Sequence, residues 1–395
     1  MRTLSCMRGA VAAAILTIPA FVPAELKMEE PIAMLPADTQ VAIAIDLTES
    51  ANPKSILSIF PREEITQKLI AAHAKDAEKK KAGSGEASSA ALKALVSKGN
   101  LMVIGLQNID PTGGTEPTVY GIISGGFTKA EADSAIASFS DGQADDKGVS
   151  TITDQGGKTS YTFSPKDNLL LFSTKQDWLG SAWGNIDAKT GMASDASGFK
   201  SLTPALNGRN PDVAIYVDGK MISEQLAKNP GAGMMAAPLT SAKALGLMMF
   251  PAEAGPSMEL QIPYADEGGA KMAQAWLTQL VGMGKGQMQQ GIDSMASAGA
   301  PDNPEMAKAK AQATKSMEML NKIEITQTGS IATAKIPIPM DLIPKDFNKT
   351  ILDGIDQSMA AKDAKSNDGG GMMAPEPTVA AEPTMAEETP APAMK

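Results

Sequence analysis

The chain has one cysteine, one histidine and only 4% aromatic residues among its 395 positions, and each shortage removes a class of chemistry. A lone thiol at Cys6 excludes disulfide scaffolds and cysteine-rich metal sites. With one imidazole, at His73, the usual cysteine and histidine zinc sets cannot be assembled. Scarce aromatics leave few platforms on which bases or sugars could stack. Positive charge is also short: 35 Lys and Arg stand against 45 Asp and Glu, for a formal net charge of −10 and a sequence pI near 4.9. A phosphate backbone is repelled by such a chain, so no nucleic-acid partner is expected. What the sequence does have is 43% apolar residues, with 25 Met and 36 Gly. Small aliphatic side chains and adaptable thioethers must therefore fill the core.

Long apolar runs are absent save for one at the start, "MRTLSCMRGAVAAAILTIPAFVPAELK". Arg2 and Arg8 precede an apolar stretch from Gly9 to Val22, and Val22-Pro23-Ala24 supplies the small residues of a processing site. The pattern predicts a secretory signal over 1–24, cleaved after Ala24. The competing reading, a retained anchor helix, meets a run short of about 20 residues and interrupted by Pro19. Cys6 precedes the run and leaves with the signal, so the exported chain is expected to carry no thiol and no transmembrane segment.

The strand pattern Val41 to Leu47 puts Val41, Ile43 and Ile45 on one face and Ala42 and Ala44 on the other. Helical spacing follows over "FPREEITQKLIAAHAKDAEKKK" and again at Leu92, Leu95 and Val96. Strands Leu101–Leu106 and Val119–Gly125 flank the Pro- and Gly-rich "QNIDPTGGTEP". In "FTKAEADSAIASF", Thr128 and Glu131 form a capping box, with Ala132, Ala135, Ile136 and Phe139 on one face. "STITDQGGKTSYTF" reads as a hairpin turning at Gly156-Gly157, and "NLLLFSTKQDWLGSAW" as a buried strand feeding a helix.

The order then repeats: strand Val213–Val217, a helix with Ile222 and Leu226, strand Leu245–Phe250, and "SMELQIPY", whose alternation predicts a wet face at Glu259 and Gln261. A helix with Met272, Trp276, Leu277 and Leu280 leads to the hairpin "IEITQTGSIATAKIPIP". Val41 and Val213 are 172 residues apart, and Ile152 and Ile325 are 173 apart, which points to duplication. A helical arm from about 284 to 320 interrupts the second copy, with Asn303 capping and Pro304 opening its second helix. Met295, Met306 and Met317 recur every eleven residues and are expected on one face of that arm.

Candidate sites each meet a plainer reading. Asp46 and Asp218 end the repeated strands, and a carboxylate pair could bind metal or move protons; duplication followed by turns explains them without a site. His73 borders the apolar face of a helix and reads as a boundary residue. "GGKT", Gly156 to Thr159, has Ile152 where a phosphate-binding loop requires its first glycine, and reads as a turn. The methionines of the arm and tail could hold Cu(I), but without Cys or His beside them they read as core filling. Trp178, Trp183 and Trp276 read as core anchors. No catalytic, cofactor-binding or metal-binding residue is nominated.

"LPADT" before an alternating strand, followed by "TVYGIISGGFTKAEADSAIASF" and "NLLLFSTKQDWL", resembles exported bacterial proteins of uncharacterised function built from a duplicated α+β unit. That resemblance implies an architecture and carries no catalytic residues. The expected fold is therefore α+β, with two tandem related units over 25–200 and 201–350, mainly antiparallel sheets packed on helices, and a disordered low-complexity Pro/Ala/Glu tail over 351–395. The expected function is that of an exported, periplasmic or extracellular, non-enzymatic envelope protein contacting another envelope protein, without a cofactor. Two alternatives stand beside it: a carrier holding a small apolar molecule or lipid between the units, and a carboxylate-based hydrolase.

Overall fold

A computed structural model of the chain describes residues 28–48, 52–59, 97–109, 116–137, 149–153, 160–166, 168–179, 198–202, 209–228, 237–253, 255–297 and 304–340, with isolated positions between and after them. Strands β1 (Val41–Asp46), β2 (Gly99–Gln107), β3 (Thr118–Gly125), β4 (Ser150–Thr153), β5 (Ser160–Lys166), β6 (Leu169–Ser173), β7 (Val213–Asp218), β8 (Ala244–Phe250), β9 (Ser257–Pro263), β10 (Glu324–Thr328) and β11 (Ile331–Pro337) are accompanied by helices α1 (Glu29–Met34), α2 (Lys129–Ala137), α3 (Gly219–Lys228), α4 (Glu267–Ser297) and α5 (Pro304–Asn321). The strands form one eleven-stranded sheet in the order β10-β11-β9-β8-β7-β1-β2-β3-β6-β5-β4. The fold is α+β, with two related units that share this sheet and belong to one compact body ending at Leu352. The segment 1–24 expected to be a signal and nearly all of the expected tail at 351–395 lie outside the described residues.

The two units meet strand to strand. β1 and β7 pair antiparallel, with Ile43 directly opposite Ile215. These two isoleucines are themselves 172 residues apart, so each is the other's counterpart and an approximate two-fold axis passes between them. The ends of the pair obey the same relation. Asp46 N donates to Asp212 O and Asp218 N to Gln40 O, both at 2.8 Å. A self-complementary contact of this kind is what a symmetric dimer uses, here built within one chain. Outward from the axis, β2 and β3 match β8 and β9.

Beyond the third strand of each unit the correspondence differs from the sequence expectation. The spacing of Ile152 and Ile325 equates the hairpin "STITDQGGKTSYTF" with "IEITQTGSIATAKIPIP", but the strand beside β3 is β6 and the strand beside β9 is β11. By position β5–β6 therefore answers to β10–β11, and β4 is an extra edge strand of the first unit. The 173-residue spacing of Ile152 and Ile325 joins strands in different places. Both sit on short polar strands at the edges, where similar alternation arises independently.

One sheet face carries Ala42, Ala44, Ala214 and Ala244 beneath Met28, Ile32 and Leu35 of the α1 region and beneath Trp178, Met192, Phe199 and Leu202. The small side chains let this cover approach closely. A Cβ added to Gly105 would lie 3.0 Å from Leu35 methyls, so a side chain there would push the covering leucine aside. On the other face, Ile45, Met102, Ile104 and Leu106 pack under Leu47, Ile56 and Leu57. Toward the two ends of the sheet, α2 buries Ala132, Ala135 and Ile136 with Phe127 and Leu170. Helix α4 buries Ala270, Ala273 and Leu277 with Ile262, Ala332 and Ala334.

The predicted capping box closes α2. Glu131 N donates to Thr128 Oγ1 at 3.2 Å, while Thr128 N donates back to Glu131 Oε2 at 2.8 Å. Lys98 is paired with the same carboxylate, and its hydrogen bond, with that of the Thr128 amide, holds Glu131 below its ordinary pKa.

Candidate functional site

The repeated aspartates do not share a site. β1 and β7 run in opposite directions, so Asp46 and Asp218 stand at opposite ends of the pair, separated by about 17 Å or more at 3.4 Å per residue. Each carboxylate closes its own turn. Asp46 Oδ1 accepts from Thr48 N at 2.9 Å and Thr48 Oγ1 at 2.6 Å. Asp218 Oδ2 accepts from Lys220 N at 3.0 Å and Met221 N at 3.3 Å, opening α3, while Tyr216 Oη donates to its Oδ1 at 3.2 Å. Acid/base work by the pair would need the carboxylates within a few ångströms of each other.

The structure instead brings together polar residues that the sequence did not nominate. Glu259 and Gln261 on β9 were expected to face water, yet they are 5% and 4% exposed. Their alternation along the strand is as expected, but the polar face is covered and not wet. Arg209, in the segment leading into β7, makes a forked pair with Glu259 at 2.9 and 2.7 Å, and its guanidinium lies 3.7 Å from the Phe250 ring centre. Gln261 Nε2 donates to Glu259 Oε2 at 3.3 Å. Burial pushes the Glu259 carboxyl up, but the hydrogen bonds and charge of Arg209, helped by Gln261 and Lys335, outweigh it and hold the group below its ordinary value. A carboxylate held in this way stays ionised and saturated with donors, so it is poorly suited to accept a proton as a base. The cluster ties the entry to β7 onto the second unit. Its one sequence signal is an arginine 50 residues upstream of a glutamate in an apolar strand.

The second feature is the arm. The apolar helix with Met272 and the expected insertion at 284–320 are not separate elements. α4 is continuous for 31 residues, about 46 Å at 1.5 Å per residue, and α5 returns beside it. Pro304 does open the returning helix. Only the first three turns of α4 bury side chains against the sheet, at Ala270, Ala273 and Leu277. Among the described residues, none of α4 beyond Leu277 and none of α5 is buried. Met295 on α4 and Met306 and Met317 on α5 are half-buried, so their eleven-residue spacing spans both helices of the hairpin. Met272 was expected on the packed stripe; it is 60% exposed, and Met283, eleven residues on, is 41% exposed.

Trp178 is buried and meets Tyr120 edge-on with centroids 5.1 Å apart, as a core anchor should; Trp276 is half-buried over the core of the second unit. His73, Trp183 and Gly156 to Thr159 lie outside the described residues. Among the described residues there is no group of three or more His, Cys, Asp or Glu able to hold a metal ion, and no helix long and apolar enough to cross a membrane.

No protein-family model and no curated protein matches the chain. Among solved structures it is similar to crystal form III of TP0453, at 10% identity over 80% of this chain and 96% of that one, with a TM-score of 0.36. It is similar in the same way to crystal form I of TP0453, at 9% identity over 80% of this chain and 93% of that one, with a TM-score of 0.37.

Proposed function

We propose that the protein is an exported, non-enzymatic envelope component that acts by binding another protein through the α4–α5 arm, and that it belongs with the exported proteins of duplicated α+β units that its "LPADT" opening resembles. The observation carrying this reading is the arm itself: a two-helix hairpin with no buried residue beyond its base among the described residues, and with Met272 and Met283 as the exposed large apolar side chains among them. Flexible thioethers suit a surface that must fit a partner's contour. Export rests on the basic, then apolar, then small-residue pattern of residues 1–24. A photoreactive side chain at position 283, introduced in the producing cell, is expected to capture envelope protein, with a control at Glu253 capturing little. Equal labelling from both positions would count against the reading.

The carrier reading has one observation in its favour. Where the two units join, Ile43, Ile215, Val217, Leu245 and Leu247 form a half-buried aliphatic strip on one sheet face. Native mass spectrometry of the purified protein tests it, since a bound apolar molecule would add a defined mass. Finding that adduct together with an inert arm would favour the carrier.

A further inference from the structure

We infer that α4 has a built-in weak point between Gly282 and Gly291, at which the outer arm opens while the base of the same helix stays on the sheet. Four glycines, Gly282, Gly284, Gly286 and Gly291, fall within ten residues of an uninterrupted helix. Each lowers helix stability relative to alanine. In the sheet such a residue is explained by crowding, as at Gly105 and Gly246, where an added Cβ would press on Leu35 or Leu202. At all four arm positions an added Cβ would meet nothing within 4 Å. Close packing among the described residues therefore does not require them, and their effect is to weaken the helix.

Burial along α4 ends just before this stretch. Ala270, Ala273 and Leu277 are buried against strands, whereas Leu280, Met288, Ile292 and Met295 are only half-buried. A helix held by partial packing and low propensity is the kind of element that opens without global unfolding. Opening exposes that apolar row and frees α5 to move with the outer half of α4. The inference concerns the free protein and stands whether or not the arm binds a partner.

Hydrogen exchange followed by mass spectrometry on the full chain tests it. In the unmodified protein, amides of 283–290, which lie well inside the helix, are expected to exchange at least a hundredfold faster than those of 271–278. Replacing all four glycines with alanine should slow the 283–297 amides by about a hundredfold or more and leave 271–278 unchanged. Gly291→Ala alone should slow them by about fivefold, which keeps the test sound if the quadruple variant behaves poorly. Uniform protection along α4 in the unmodified protein, or alanine variants exchanging at the original rate, would overturn the inference.

Discussion

The centre of the sheet and the arm are built from similar residues to opposite effect. Around β1, small side chains make room: Ala42, Ala44 and Ala214 are at most 7% exposed because large groups from the covering segments fill the space they leave. Along α4, glycines leave space that nothing described fills, and large groups such as Met272 point to solvent. A Met- and Gly-rich composition therefore does not declare whether a segment is core or surface. The partner across the gap decides it. Stability is expected to be concentrated in the sheet, with the arm contributing little.

Substitutions can break that contrast. The largest effect is expected for Trp178→Ala, which removes a buried ring stacked edge-on against Tyr120 and should cost about 4 kcal/mol in denaturant unfolding. A cost below about 1 kcal/mol would mean that the cover over this face is loose. Next comes Arg209→Ala, which strands Glu259 without its forked partner. The expected loss is about 3 kcal/mol, at the low end for a buried pair because the arginine side chain is 44% exposed.

The same pair predicts a pH response. The carboxyl of Glu259 is lowered in the folded state, so its contribution is fully present above the ordinary glutamate range and is lost as pH falls through the folded value. Acid unfolding of Glu259→Gln should accordingly be less steep below about pH 4 than that of the unmodified chain. Asp218→Asn should cost about 1 kcal/mol through weaker turn and helix-start bonds, with Asp46→Asn similar and the two additive, since they stand at opposite ends of the strand pair. The smallest effect is expected for Met272→Ala, within about 0.5 kcal/mol of the unmodified protein by thermal or denaturant melting. A larger loss would show that the outer surface of α4 is covered in solution.

Much of the frame was legible in the sequence because local chemistry fixes it. Thr128 and Glu131 name a helix start by a bond each makes to the other's backbone. The 172-residue spacing of the central strands survives because duplication preserves buried alternation. The misreadings have a common cause, in that a periodic pattern shows which residues share a face and not what lies over it. "SMELQIPY" alternates correctly, but its polar face is capped by an arginine 50 residues away. Met272 and Leu277 both fit an apolar stripe of α4, and only the sheet beneath selects Leu277. An arm beginning near 284 reads as an insertion apart from the helix before it, yet α4 runs through that boundary without a break. No stretch of sequence states that two units with their own strand order will share one sheet, because the joining pair lies between residues 172 apart.

That joining pair also bears on how the molecule is assembled. Before β1 and β7 meet, each unit presents a bare strand edge, and the edge it must find is offered equally by its own chain and by any neighbour. The 39 residues between Ser173 and Val213 act as a tether, giving the correct edge an effective concentration on the order of millimolar. At micromolar protein the intramolecular closure wins comfortably. At concentrations approaching the tether's, refolding should divert into swapped dimers in which β1 of one molecule lies beside β7 of another.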